Sequence, residues 1–528
     1  MNTPRGSKAG SMRILFSIFV LSSAIFSFAA PKDTLQFWCM PNGPSSQSVL
    51  EKNLQGFTKE TNIPVKLGIV DWSEAFLKIK NSFESGKGPD VVQLGTSWVS
   101  YFSSKGDLYN LSHLIPLIDS SRFIPSALYP AKVEGLAGIY AFPWFLDVRA
   151  LFINKKFADT LEISDSSLLT MAAFLGTLQY IADAHLHNEA GLPVVPFGLP
   201  GKDDWTGHQQ LAPFIWNEGG DYLEKTSSGW KSALLNRETL LGIAEYVRIL
   251  KDSSIATFSL RDNTSQLTNR FTNGEQAFLF GTSEIIRKLD LPISEYGLKS
   301  SAIGESGIYI FPFPAGSKGN STFIGGSLLA ISNKSNHKKQ AEQLLAYLLR
   351  PDNINIYTKR IGFLPGDQSL LRVWSRDARY KKLVKSLENG RTFPNIPEWA
   401  AIESDLIDMT NEIGALYRSP ISRDGDKTTS LAILISKYDA KINQRLNQKG
   451  SVKDLSSIIA ILETQIKIDS FIPHKPSYKK HVSEPEEHNS KALNIFFIIF
   501  IILCLTIIFI SKKKYSSLLQ QAKKKKIK

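Results

Sequence analysis

The chain has 528 residues, 43% of them hydrophobic and 21% charged, the proportions of a globular protein rather than a disordered or fibrous one. Its formal charge of +13 is carried by its ends: +3 lies in residues 1–30 and +8 in residues 511–528, which leaves +2 for everything between and excludes a basic nucleic-acid-binding body. Two cysteines, Cys39 and Cys504, exclude a disulfide framework.

Residues 1–30 read as a secretory signal peptide: Arg5, Lys8 and Arg13, an apolar run from Ile14 to Phe28, then Ala29-Ala30. Leu35–Met40 reads as a first strand, residues 41–44 as a loop, and Gln47–Thr61 as an amphipathic helix with Val49, Leu50, Leu54 and Phe57 on one face. Val65–Val70 and Val91–Leu94 are further strands, separated by a helix over Glu74–Phe83. This alternation predicts a parallel α/β sheet. The third strand runs out into Gly95-Thr96-Ser97-Trp98, small, polar and aromatic, where open α/β sheets present ligands.

New material begins near Ala141, with a strand at Ala150–Ile153 and helices over Leu168–Asp183, Gln209–Asn217 and Glu238–Lys251. Phe271–Phe280 carries a helix leading into a strand. Tyr309–Pro314 and Phe323–Ile331 are strands, and His337–Leu349 is a helix stopped by Arg350-Pro351. Helices follow over Asp367–Leu387, Ala400–Tyr417, Thr428–Leu446 and Leu455–Lys467, then a tether rich in proline, charge and serine over Ile472–Ser490. Ala492–Ile510 is apolar all round and long enough to cross a bilayer of about 30 Å. Lysines at 512–514 follow it, so the basic tail 511–528 is expected in the cytoplasm and the body outside it.

Five blocks in order carry a family resemblance: Trp72–Phe76 with Ser85–Trp98; Gly138–Phe157; Pro196–Leu223; Phe271–Gly281; and Ser321–Leu349 continuing to Ile361–Gly366. Over about residues 34–446 the chain resembles the extracellular solute-binding proteins of ABC sugar importers, the cluster that includes maltose- and trehalose-binding proteins. The resemblance implies a two-lobed periplasmic-binding-protein fold (type II) within 31–446. Lobe one would hold about 34–142 and 285–340, lobe two about 150–280 and 345–446, with a helix and linker over 447–491 and a transmembrane helix over 492–510. Two departures stand out. The N-terminus offers no convincing lipidation cysteine, and the fourth block lacks the tryptophan that usually follows it, which removes one aromatic wall expected of the cleft.

A sugar presents hydroxyls at its edge and weakly apolar C–H faces, so its site needs aromatic platforms and short polar groups. Asp147 and Arg149 alternate onto one face of an extended segment; the resemblance puts a sugar-contacting carboxylate at Asp147, and a structural pair at the hinge is the alternative. Trp144 is either a stacking platform or hinge packing. Thr96 and Trp98 stand at the strand exit, Trp72 and Glu74 after the second strand, and Trp205 in a loop before a helix. Gly325, Gly326 and Ser327 would admit a ligand close to the backbone, and the resemblance turns Asn42 toward it. No zinc cluster, nucleophile elbow, dinucleotide fingerprint or phosphate loop is present. The reading is therefore a membrane-tethered receptor on the outer side of a bacterial cell membrane. It would hand a carbohydrate to an ABC permease, with no catalytic residue, metal or cofactor. Sensing through a separate membrane partner, or a non-sugar ligand such as glycerol phosphate, are the alternatives; a phosphate would want converging cations, and Arg149 alone stands out.

Overall fold

A computed structural model describes residues 34–43, 45–419, 424–450 and 453–466. The signal expected at 1–30, the linker after 466, the span at 492–510 and the basic tail lie outside these residues. Among the described residues no helix is long and apolar enough to cross a membrane.

The strands are β1 (Leu35–Cys39), β2 (Val65–Ile69), β3 (Val91–Gly95), β4 (Phe142–Asn154), β5 (Leu223–Thr226), β6 (Gly229–Ser232), β7 (Phe278–Thr282), β8 (Ile308–Phe311), β9 (Thr322–Ile331), β10 (Leu364–Pro365) and β11 (Gly390–Arg391). Nine of them form one sheet, in the order β10-β4-β9-β3-β1-β2, with β7 and β8 also pairing β4 and β11 pairing β9. β1 pairs in parallel with β2 and β3, as the strand–helix alternation predicts, whereas β9 runs antiparallel to both β3 and β4. β5 and β6 make a separate hairpin.

Three apolar cores surround this framework. The first gathers β1, β3 and helix Ser46–Thr61 with Phe142, Trp144, Phe145 and Leu328–Ile331. The second gathers Leu151 and Ile153 with helices Gly207–Asn217, Arg237–Lys251 and Trp399–Arg418. A third, containing Val148, Ala150, Phe152, Ile285 and Ile310, lies on the other side of β4 from Leu151 and Ile153. β4 thus crosses between the halves of the molecule: residues 142–148 pair β9, and 149–154 pair β7 and β8. β9 makes the same passage, with Leu328–Ile331 in the first core and Phe323 in the second.

Core membership moves the lobe boundaries read from sequence. Leu348, Ile354, Tyr357 and Ile361 pack in the first core, not the second: the helix before Arg350-Pro351 stops there as expected, and Pro351 opens a second helix, Pro351–Ile361, that lays Tyr357 flat on Trp144 at 4.3 Å. Ile285, Ile286, Leu289 and Ile303, expected with the first lobe, belong to the third core beside β7 and β8. Helix Leu455–Ile466, expected with the linker, buries Ile458, Leu462 and Ile466 in the second core. Cys39 is a buried strand residue as expected, and burial pushes its thiol up to about 12.

Candidate functional site

Where β4 and β9 cross between the halves, a cavity of about 710 Å³ opens. Alternation decides which side chains face it. On β4 these are Phe145, Asp147 and Arg149; on β9, Phe323, Gly325 and Ser327. Gly326 lines the cavity through its backbone: its φ of +142° and an added Cβ 2.3 Å from the Phe145 carbonyl oxygen leave room for glycine alone. The exit of β3 closes beside it, with the Thr96 N–H donating to the Gly326 carbonyl at 3.2 Å.

Aromatic walls come from both halves. Trp72, at the start of helix Trp72–Glu84, donates its Nε1–H to the Pro41 carbonyl at 2.8 Å and sits 5.6 Å from Trp98. Trp205 faces Trp72 in parallel, 9° from coplanar and 6.4 Å away, and is 56% exposed. Trp72 and Trp98 pack on the first core. Trp205 leads into helix Gly207–Asn217 of the second.

The polar wall is under-satisfied. Arg149 is 3% exposed and donates through Nη2 to Gln209 Oε1 at 2.6 Å, and its guanidinium lies 5.6 Å from the Phe323 ring centre. Its Nε and the Oδ1 of Asp147 are buried without hydrogen-bond partners. Burial holds the Asp147 carboxyl above the ordinary range; Arg149 opposes that rise and Glu284 adds to it. Burial likewise lowers Arg149, and Asp147 opposes that fall. Two further carboxylates line the cavity but are engaged. Glu284 pairs with Lys288 at 2.9 Å. Glu403 accepts from Ser97 Oγ at 2.8 Å and lies 3.2 Å from His208 Nε2. The Ser97 contact joins the β3 exit to helix Trp399–Arg418, so it spans the two halves. No group of three or more metal-ligating side chains occurs among the described residues.

Ten of the twelve residues expected from sequence come together here: Asn42, Trp72, Thr96, Trp98, Asp147, Arg149, Trp205, Gly325, Gly326 and Ser327. Asn42 is nonetheless committed inward: its side-chain amide donates to Gln93 Oε1 and Tyr357 Oη, and its Oδ1 accepts from Gln93 Nε2. Ser327 Oγ likewise accepts from Gln93, at 2.7 Å. Two expectations are corrected. Trp144 has the opposite parity to Asp147 and is 1% exposed in the first core, stacked on Tyr357. Glu74 is exposed, off the cavity, in the first turn of its helix, where a carboxylate complements the helix N-terminus. Residues not anticipated include Phe145, Gln209, Glu284 and Glu403. The parity that selects Asp147 and Arg149 also selects Phe145; Glu403 carries no local signal, since tertiary packing alone brings it to Ser97.

The matches to known proteins agree with this geometry. The family model for bacterial extracellular solute-binding proteins matches residues 41–354. The diacetylchitobiose binding protein DasA of Streptomyces coelicolor is 23% identical over 430 residues, covering 79% of this chain and 91% of its own. Among solved structures, the GacH receptor of Streptomyces glaucescens, studied unliganded and with acarbose, has a TM-score of 0.64 at 21% identity, over 79% of this chain and all of that one. Maltose-bound MalE3 of T. maritima has a TM-score of 0.61 at 17% identity, over 82% of this chain and 99% of that one. These likenesses show the two-lobed α/β fold expected from sequence. With its two halves joined through β4 and β9 around a shared cavity, the chain belongs to the bacterial extracellular solute-binding protein family.

Proposed function

We propose that this chain is the receptor of an ABC sugar importer, capturing a sugar or oligosaccharide in the cavity between its halves and delivering it to the permease. The observation that carries this reading is the composition of the cavity: three indoles from two halves of the molecule, a hydroxyl-rich lining, and at the crossing strands an Asp147–Arg149 pair with buried, unpartnered polar atoms. Indoles cover the C–H faces of a sugar ring, and fixed donors and acceptors meet its hydroxyls. Diacetylchitobiose, acarbose and maltose, the ligands in the relatives' names, all belong to that chemistry and support it. A phosphorylated ligand is disfavoured, because the lining holds two cations, Arg149 bonded to Gln209 and Lys288 paired with Glu284, where a phosphate wants several converging on it. The mechanism is closure: ligand that touches both halves favours the state in which they meet. A signal peptide at 1–30 and a span at 492–510 would hold the body outside the cell membrane, tethered to it.

Calorimetric titration of residues 31–485 with a panel of mono- and oligosaccharides tests the reading. Saturable heat with at least one sugar, near a micromolar dissociation constant or about −8 kcal/mol, is expected. Absence of saturable binding across the panel would overturn it.

A further inference from the structure

Closure also draws on a contact that the protein makes with itself. Ser97 and Glu403 belong to different halves. Ser97 sits in the tight turn after β3, where the Trp98 N–H donates to the Gly95 carbonyl at 3.0 Å, and the following helix, Val99–Ser104, buries Val99 and Phe102 in the first core. Glu403 lies in helix Trp399–Arg418, flanked by Ile402 and Leu406 of the second core. Across the divide, Ser97 Oγ donates to Glu403 Oε2 at 2.8 Å.

The other oxygen of Glu403 fixes the direction of that bond. Oε1 lies 3.2 Å from Nε2 of His208, a fully buried residue of helix Gly207–Asn217. An ionised carboxylate only accepts, so Nε2 carries the proton and donates. His208 Nδ1 has no hydrogen-bond partner, so no second bond turns the ring away. His208 thus holds the carboxylate from within the second half and leaves Oε2 to the first. Glu403 is buried, and a hydrogen bond to a charged acceptor is about twice as strong as a neutral one. A second bridge between the halves, Lys225 to Glu134 at 2.7 Å, is exposed on both sides and contributes little. The parallel Trp72 and Trp205 also face each other across the divide, but theirs are the faces a sugar ring takes.

We propose that Ser97 and Glu403 form a latch, which stabilises the closed arrangement directly and does not read the ligand. Parting the halves breaks the Ser97 bond and leaves Glu403 with His208. The consequence for sugars rests on the receptor reading. Apparent affinity scales with the population of the binding-competent state, so a contact made only on closure raises the affinity for every sugar by one factor. Ser97, Glu403 and His208 are then positioning residues, and selection among sugars falls to other groups of the lining.

Deoxy sugars separate a latch from a direct contact. The 31–485 body and its Ser97→Ala variant are titrated with the tightest sugar of the panel and with analogues of it that each lack one hydroxyl. Ser97→Ala should weaken all of them by the same factor, about three- to tenfold. Glu403→Gln keeps the shape, gives up the charge and should act in the same direction. Spin labels at Leu77→Cys and Lys202→Cys, exposed positions in the first and second halves, supply a readout that needs no ligand. Cys39 is buried and does not compete for the label. With no sugar added, the short separation should be less populated in Ser97→Ala than in its parent. If Ser97→Ala leaves affinity unchanged, or if its effect vanishes with one analogue because that hydroxyl is held directly, the latch fails and the receptor reading stands. If no sugar binds, the receptor reading fails and the label distances alone judge the latch: equal distributions overturn it.

Discussion

Trp72 and Trp144 are both indoles close to the crossing strands, and they predict opposite phenotypes. Trp72 faces the cavity and a parallel Trp205, so Trp72→Ala removes a stacking surface and leaves the core alone. Sugar affinity should fall roughly tenfold, about 1.5 kcal/mol, with the thermal midpoint little changed. Trp144→Ala empties the first core beneath Tyr357 and should cost about 3–5 kcal/mol of stability in chemical denaturation. Asp147 adds a pH dependence. Its carboxyl is held above the ordinary 3.8 by burial, and a sugar donor stabilises the charged form. Affinity should therefore be level at neutral pH and weaken as pH falls through that raised value, at a less acid pH than an ordinary aspartate would show. Titration calorimetry between about pH 7 and 4 checks this, and an Asp147→Asn variant should lose that part of the pH profile.

At the scale of elements, the first half of the fold is legible because each strand and helix there announces itself: β1, β2 and β3 are short β-rich runs, and helix Ser46–Thr61 buries Leu50, Leu54 and Phe57 at helical spacing. The sequence pattern marks β4 only over 150–153, although it extends over Phe142–Asn154, because a strand buried along nearly its whole length shows little polar alternation and Pro143 argues against a strand interior. A bulge between Pro143 and Phe145 is how the sheet accommodates that proline. The site follows the same rule. Motifs locate the wall at Asp147, Thr96 and Trp205, while Glu403 arrives from a helix more than 250 residues after Asp147 and has to be seen in place. Helix Leu455–Ile466 carries the consequence for experiment. Three fully or nearly fully buried residues, Ile458, Leu462 and Ile466, complete the second core. A body ended at residue 446 forfeits on the order of 5 kcal/mol of burial, comparable with the whole stability of an ordinary domain. It should unfold or aggregate, whereas a body ended at residue 474 should give a cooperative melt by circular dichroism.

For the molecule as a whole, the proposed tether changes how capture works rather than what is captured. A receptor free to diffuse must be abundant to keep a permease supplied; one fixed to the same membrane meets it at a high local concentration whatever its copy number. The sequence argument for the tether is the apolar run 492–510, which as a helix would be about 28 Å long, close to the hydrocarbon thickness, with lysines at 512–514 on the side that such a span would leave in the cytoplasm. Two strains separate the consequences, one making the full chain and one making a chain stopped after residue 490, each at low and at high expression. The full chain should sediment with membranes and resist a high-salt wash, which strips proteins held by charge alone; the stopped chain should appear in the soluble extracytoplasmic fraction. Uptake of the sugar should be slower with the stopped chain at low expression and recover at high expression, because mass action replaces the lost proximity. Binding of the purified bodies should be the same in both, since residue 490 lies well beyond helix Leu455–Ile466, the last described helix that packs on the second core. A stopped chain that still sediments would place the anchor elsewhere. Equal uptake at low expression, with the stopped chain soluble, would show that tethering does not limit delivery.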